Sequence, residues 1–172
     1  MRLPAWLLVA VTLAAPVDAA QRPATPLSAD DYLVIQRLYT RYNWAADATD
    51  GQSWADLFTP DGEYEVVGQY KVEGRDQLVE LPKKSFGTPT AKSSLHFVGN
   101  IWTEPAPEGA RGGAYLLVVA PAADGKPATL TSIVVYEDVI VKTAAGWRIK
   151  SRKTHGVDAG LAPSLMWGAR PK

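Results

Sequence analysis

YNWAADATDGQSWADLFTPDGEY, residues 42–64, holds the punctuation from which the fold is read. A helix ends on Asp50-Gly51, and Ser53 caps a short second helix, WADLF. Pro60-Asp61-Gly62 then turns the chain into a strand at 63–67. Upstream, Ser28-Ala29-Asp30-Asp31 has the form of a capping box that starts a helix at Ala29. Ile35, Tyr39, Tyr42, Ala46 and Asp50 follow at spacings that keep them on one face of a helix running to about Thr49. Downstream, Gly74-Arg75-Asp76 opens another helix, limited by Pro82 and Gly87. From Ser94 the pattern alternates, giving strands at about 94–104, 111–121, 128–142 and 146–156. Helices first and then an antiparallel meander specify an α+β domain, with N-terminal helices packed on a curved, mostly antiparallel sheet.

Residues 1–20, MRLPAWLLVAVTLAAPVDAA, have a positive start, a short apolar run and a small-residue exit. That pattern is a signal peptide cleaved near Ala19-Ala20, which implies a periplasmic or secreted protein with no membrane contact afterwards. A flexible leader (21–27), one domain (28–157) and an apolar tail (158–172) follow. The tail contains Pro163, Leu165, Met166 and Trp167, and is expected to cover a pocket or reach a neighbouring subunit. The chain carries 18 Lys+Arg against 18 Asp+Glu, and this neutrality gives no electrostatic reason to expect nucleic acid as a partner. It has no cysteine, which excludes disulfides, thiolate metal sites and thiol nucleophiles.

SSLHFVGNIW, residues 93–102, holds one of only two histidines. Alternation along a strand places His96, Val98, Asn100 and Trp102 on one face. A histidine oriented by a carboxylate is a proton acceptor, because the carboxylate fixes one ring nitrogen and leaves the other free. Asp50 is the expected partner, with Asp47 three residues earlier as its substitute; Asp61 reads as a turn residue. Tyr42, Tyr39 and Tyr64 are candidate phenols for a substrate oxygen. Asn100 and Trp102 would line the same pocket, and His155, near the end of the last strand, would sit at its mouth. No metal-ligand spacing and no glycine-rich phosphate loop occurs, so neither a metal nor a nucleotide cofactor is expected.

The order of these elements resembles a SnoaL-like domain of the nuclear transport factor two-like superfamily. The matching passages are the long first helix, DGxxWxxLFxxDGxY at Asp50–Tyr64, Gly-Arg-Asp at Gly74, HFVGN at His96–Asn100 and GWRIKSR at Gly146–Arg152. The resemblance implies a cone-shaped α+β barrel with an apolar pocket. Its members include scytalone dehydratase, steroid isomerases, bile-acid dehydratases, polyketide cyclases and non-catalytic subunits. In the dehydratase-type members a strand histidine is the base and an aspartate orients it, which implies those roles for His96 and Asp50. Bile-acid dehydratases keep a tyrosine five residues before that aspartate, where Ala45 stands. Scytalone dehydratase keeps one immediately before it, where Thr49 stands, and it has a second strand histidine with no counterpart here.

The implied function is cofactor-free dehydration, isomerisation or cyclisation of a small hydrophobic carbonyl or hydroxyl compound. His96 would be the base, Asp50 its orienter, and Tyr42 with Asn100 the donors to an enolate oxygen. The alternative is a non-catalytic periplasmic ligand-binding or accessory protein. A homodimer or homotrimer formed through the sheet is expected.

Overall fold

The computed structural model describes residues 24–86, 94–122 and 126–157, so the expected signal peptide and C-terminal tail lie outside the described residues. Helices α1 (Ala29–Asp47) and α2 (Gly51–Ala55) come first, then strands β1 (Phe58–Val66) and β2 (Tyr70–Glu73) and helix α3 (Arg75–Ser85). Strands β3 (Leu95–Ala106), β4 (Gly109–Ala120), β5 (Thr129–Thr143) and β6 (Gly146–Gly156) complete the chain. They form one six-stranded sheet in the order β2-β1-β6-β5-β4-β3. Every neighbouring pair is antiparallel except β1 with β6. The expected α+β architecture is therefore present. The sheet curves around the helices without closing, and β2 and β3 are its edges.

Helix α1 starts as its sequence requires. Ser28 Oγ accepts from the Asp31 amide at 3.1 Å, and the Ser28 amide donates back to Asp31 at 3.0 Å. The other Asp31 oxygen accepts from Lys142 Nζ at 2.9 Å and Trp147 Nε1 at 2.8 Å, which ties this helix end to the β5–β6 hairpin. Lys142, then Trp147 and then Ser28 hold the Asp31 carboxyl well below its ordinary range. A depressed folded-state pKa gives stability that is present at neutral pH and lost as pH falls below about 4. Asp31→Asn is therefore expected to lower Tm at pH 7. The gap from the parent protein should shrink as thermal unfolding is repeated at progressively lower pH.

The buried face of α1 is Ile35, Leu38, Tyr39, Tyr42, Asn43, Ala45 and Ala46, the apolar stripe that a helix lying on a sheet must present. It meets Trp54, Leu57 and Phe58 from the passage after it, Tyr64 from β1, and Leu116, Tyr136, Ile140 and Ile149 from the meander. Each such large side chain contributes about 1.5–3 kcal/mol on burial. Gly51 is required by packing, since a Cβ there would collide with the Val79 carbonyl of α3.

Three β-bulges interrupt the meander, one of them at Thr131 in β5, and the other two decide which candidate site residues face inward. Gly99 pairs with Tyr115 and Trp102 with Gly113, so Asn100 and Ile101 together oppose Ala114. Asn100 adopts φ 51°, a left-handed conformation that asparagine tolerates better than most residues. The bulge turns Ile101 inward and leaves Asn100 exposed. Trp102 goes to the outer face, where a Cβ on Gly113 would sit 2.5 Å from its Nε1. In β6, Ile149 pairs with Ile140 and Ser151 with Val139, so Lys150 is the extra residue. That shift brings Arg152 and Thr154 inward, onto the side of Trp147 and Ile149. The outer face of the meander carries Leu95, Phe97, Leu117, Leu130 and Ile133, all exposed.

Candidate active site

Where α1 stops decides which carboxylate reaches the histidine. The Asp50 amide donates to the Ala45 carbonyl and the Thr49 amide to the Ala46 carbonyl, both at 2.9 Å. This double closure is a Schellman motif, and it places Thr49 in the left-handed region at φ 53°. The helix therefore ends on Asp47, and the chain turns Asp50 away from β3. Asp50 becomes the N-cap of α2, its carboxylate accepting from the Ser53 amide at 3.1 Å. Ser53, then, receives the cap rather than supplying it. Its hydrogen bonds to Asp50 lower the Asp50 pKa, as expected for a capping carboxylate.

A β-branched residue in left-handed backbone is strained by about 1–2 kcal/mol. Thr49→Gly relieves that strain at the position where helices favour glycine. It is expected to raise stability by about 1 kcal/mol in urea unfolding, while the His96 environment stays unchanged.

Asp47 is the partner of His96. Its Oδ1 lies 2.5 Å from His96 Nδ1, and the carboxylate also accepts from the His96 backbone amide at 3.2 and 3.3 Å. An ionised carboxylate only accepts, so Nδ1 carries the proton and the lone pair of a neutral ring lies on Nε2. Among the described residues Nε2 has no hydrogen-bond partner. The Phe86 ring packs edge-on against the imidazole, with centroids 5.2 Å apart, and holds its plane. The expected His96–Asp50 pair is thus replaced by His96–Asp47.

The last turn of α1 is negative. A carboxylate in the last turn of a helix opposes the helix dipole, and no basic residue in that turn of α1 offsets it. The imidazolium formed when His96 takes a proton faces both Asp47 and the negative end of α1. Both stabilise it.

The pair lines a groove of about 390 Å³ between α1 and edge strand β3. Thr40, Asn43, Trp44 and Asp47 contribute from the helix, at spacings of three, one and three, and Leu95, His96, Phe97 and Val98 from the strand. Its size suits a small molecule. Trp44 is 74 % exposed and Phe97 53 %, so the groove is flanked by apolar surface. A second hollow, of about 420 Å³, lies by the ends of β1, β5 and β6 and is lined by no ionisable side chain. Among the described residues no group of three or more His, Cys, Asp or Glu is placed to hold a metal ion.

The other expected site residues lie elsewhere. Tyr42 is 1 % exposed and packs among Trp54, Phe58 and Tyr136, beneath the groove rather than in its lining. Tyr64 sits in the same core, 5.5 Å from the Trp54 ring, with Thr154 Oγ1 3.4 Å from its hydroxyl. Tyr39 is buried against Arg152. Burial pushes the Tyr39 and Tyr42 phenols up, and Tyr64 is pushed up to about 12. All three therefore stay neutral and can donate, but they are poor bases. Asn100 and Trp102 leave the inner face because of the bulge. His155 points to the outer face, 3.0 Å from Glu137, and does not reach the groove.

Arg152 and Asn43 are the notable residues that sequence reasoning passed over. The Arg152 guanidinium is fully buried, with Nε and Nη2 each donating at 2.8 Å to the two oxygens of buried Asp138. The rings of Tyr136, Tyr42 and Tyr39 lie 3.9, 4.2 and 4.9 Å from its central carbon. Burial opposes its charge, but Asp138 more than offsets this and raises its pKa. A strict two-residue alternation along β6 puts Arg152 outside; only the bulge at Lys150 brings it in.

The sequence matches the family model of the SnoaL-like domain over residues 28–153. No protein of curated function matches it. Among solved structures, the fold is similar to an NTF2-like protein with a cystatin-like fold from Novosphingobium aromaticivorans. Identity to it is 24%, over 80% of this chain and 89% of that one, with a TM-score of 0.69. It is also similar to a protein of unknown function from Mycobacterium tuberculosis, at 26% identity over 74% and 72% of the two chains and a TM-score of 0.64. ActVI-ORFA from Streptomyces coelicolor is 22% identical over 73% of this chain and 96% of that one, with a TM-score of 0.65. With the family model spanning its helices and nearly all of its sheet, the chain belongs to the SnoaL-like family and has the NTF2-like cone fold.

Proposed function

We propose that this protein takes a proton from carbon next to a carbonyl in a small hydrophobic compound, without a cofactor, and so catalyses dehydration, isomerisation or cyclisation. The observation that carries the reading is the Asp47–His96 pair, with Nδ1 held at 2.5 Å and Nε2 unpaired among the described residues, in a groove of small-molecule size. His96 Nε2 accepts the proton, the C–H electron pair moves into the carbonyl to form an enolate, and Asp47 stabilises the imidazolium. The proton can then return to another carbon, or to a departing hydroxyl as water.

Moving the orienting carboxylate from Asp50 to Asp47 also supports the dehydratase-type resemblance. Bile-acid dehydratases keep a tyrosine five residues before the aspartate, and Tyr42 stands five before Asp47. The Tyr42 phenol stays neutral but lies in the core beneath the groove, outside its lining, so the enolate oxygen is not assigned to it. Export by residues 1–20, and a homodimer or homotrimer formed through the exposed Leu117, Leu130 and Ile133 face, belong to the same proposal.

The test needs no knowledge of the natural substrate. Deuterium uptake at the carbon next to the carbonyl of 2-tetralone in D2O, followed by NMR, reports proton abstraction directly. Exchange above the buffer rate that is lost in His96→Gln supports the reading. Exchange indifferent to that substitution, with the tetralone still bound in the groove, makes this a binding protein instead.

A further inference from the structure

Four polar side chains line the groove, and three of them have a hydrogen-bond partner, His96 through Nδ1 alone. Asp47 and His96 hold each other, and Thr40 Oγ1 donates to the Gln36 carbonyl within the helix at 3.4 Å. Asn43 is the fourth. It is 4 % exposed, and neither its Oδ1 nor its Nδ2 has a partner among the described residues. An amide in this state is costly, because burial takes its N–H donors and its carbonyl acceptor away from water and no partner among the described residues replaces it. Asparagine is also a poor residue for a helix interior. Leucine, of nearly the same size, would suit the fold better on both counts. An unpaired buried polar group calls for an explanation, and of those among the described residues only Asn43 lines the groove, where a ligand can supply the partner.

From this we infer that Asn43 is the substrate-orienting residue of the groove, and that it recognises a hydroxyl group on the ligand. The inference rests on the reading of the groove as a ligand site given above. Asn43 lies one helical turn before Asp47, on the same face of α1. Torsion about the terminal bond of an asparagine is soft, so a small rotation presents the amide to the groove. The two unmet atoms are one donor and one acceptor. A ketone only accepts, and it would satisfy Nδ2 while leaving Oδ1 unpaired. A hydroxyl does both, accepting from Nδ2 or donating to Oδ1, and an adjacent oxygen function on the ligand can take the remaining bond. The groove thus selects a hydroxylated ligand, gripped on its apolar body by Trp44 and Phe97 and anchored at its hydroxyl by Asn43. That arrangement fixes which C–H bond of the ligand is presented to His96 Nε2.

A binding experiment separates this inference from the catalytic one. The probes are 2-naphthol and naphthalene, which share a shape and differ by one hydroxyl. Titration into uniformly ¹⁵N-labelled protein, followed by NMR, gives their affinities and shows whether the Asn43 side-chain amide resonances move. The parent protein is expected to prefer 2-naphthol on the order of tenfold or more, with the Asn43 amide shifted. Asn43→Leu and Asn43→Ala are each expected to bring that preference close to unity. Asn43→Leu should also raise the Tm of the free protein by roughly 3 °C, since it removes two unsatisfied atoms. Gaining stability while losing hydroxyl selectivity is a signature that a purely structural asparagine does not give. Equal affinity for the two probes, selectivity that survives in both variants, or no shift of the groove resonances with either probe overturns the inference. Since no turnover is measured, this result stands or falls separately from loss of exchange in His96→Gln.

Discussion

Glutamine in place of His96 is expected to reduce carbon-acid exchange by about 10²–10⁴-fold, the range that one positioned general base contributes. The fold should be unaffected, because the ring is held by Asp47 and Phe86 at the groove rather than by the main core. Asp47→Asn is the sharper probe. Its amide can turn an NH₂ toward Nδ1, which then accepts and leaves the proton on Nε2. The ring stays in place but in the wrong tautomer, and the imidazolium loses its counter-charge. Exchange should fall on the order of 10²-fold or more, with little change in ligand affinity. Asp50→Asn makes the contrast. Asparagine is an equivalent N-cap, so both activity and stability should change little. A larger activity loss in Asp50→Asn than in Asp47→Asn would contradict the assignment.

The largest effect on stability is expected at Arg152. Arg152→Met removes one half of a fully buried, doubly hydrogen-bonded pair and strands the Asp138 carboxylate in the core. Leaving one buried charge uncompensated costs about 3–5 kcal/mol. The surrounding rings of Tyr39, Tyr42 and Tyr136 also lose a cation they face. For a domain of this size the drop in Tm is roughly 10–20 °C. Adding Asp138→Leu to Arg152→Met takes away the stranded carboxylate, and the double variant should recover most of the loss. Differential scanning calorimetry on the four members of the cycle reads this coupling. If the double variant is no more stable than Arg152→Met alone, the pair is not what the core depends on.

Most of the architecture was legible because it is periodic. The 3.6-residue stripe of α1 and the two-residue alternation of four strands are both consequences of which side chains must leave water. Strand β2 is not legible in this way: YKVE alternates, but its four residues, between Gly68 and Gly74, are too few for the pattern to stand out. The site was legible in its residue types but not in its phase. Asp47 and Asp50 are three residues apart, and a sequence cannot say which of them follows the last helical turn. Here the cue pointed the wrong way. Gly51 looks like the helix exit, but Thr49 takes the left-handed position, against its own preference. The bulges acted in the same manner. One extra residue at Asn100 and one at Lys150 flip everything after them, sending Trp102 outward and Arg152 inward. At neither bulge is the extra residue a glycine that would announce it. Asn43 reads as an ordinary polar residue until its burial and lack of partners are known.

The measurement that bears most directly on the proposed chemistry is the tautomer of His96. A long-range ¹H–¹⁵N correlation spectrum of the imidazole ring near pH 8, where an ordinary histidine is neutral, assigns the proton to one nitrogen. A protonated Nδ1 and a bare Nε2 are expected in the parent protein, reversed in Asp47→Asn and unchanged in Asp50→Asn. A proton on Nε2 in the parent protein would mean that Asp47 does not set the ring and that the groove holds no poised base.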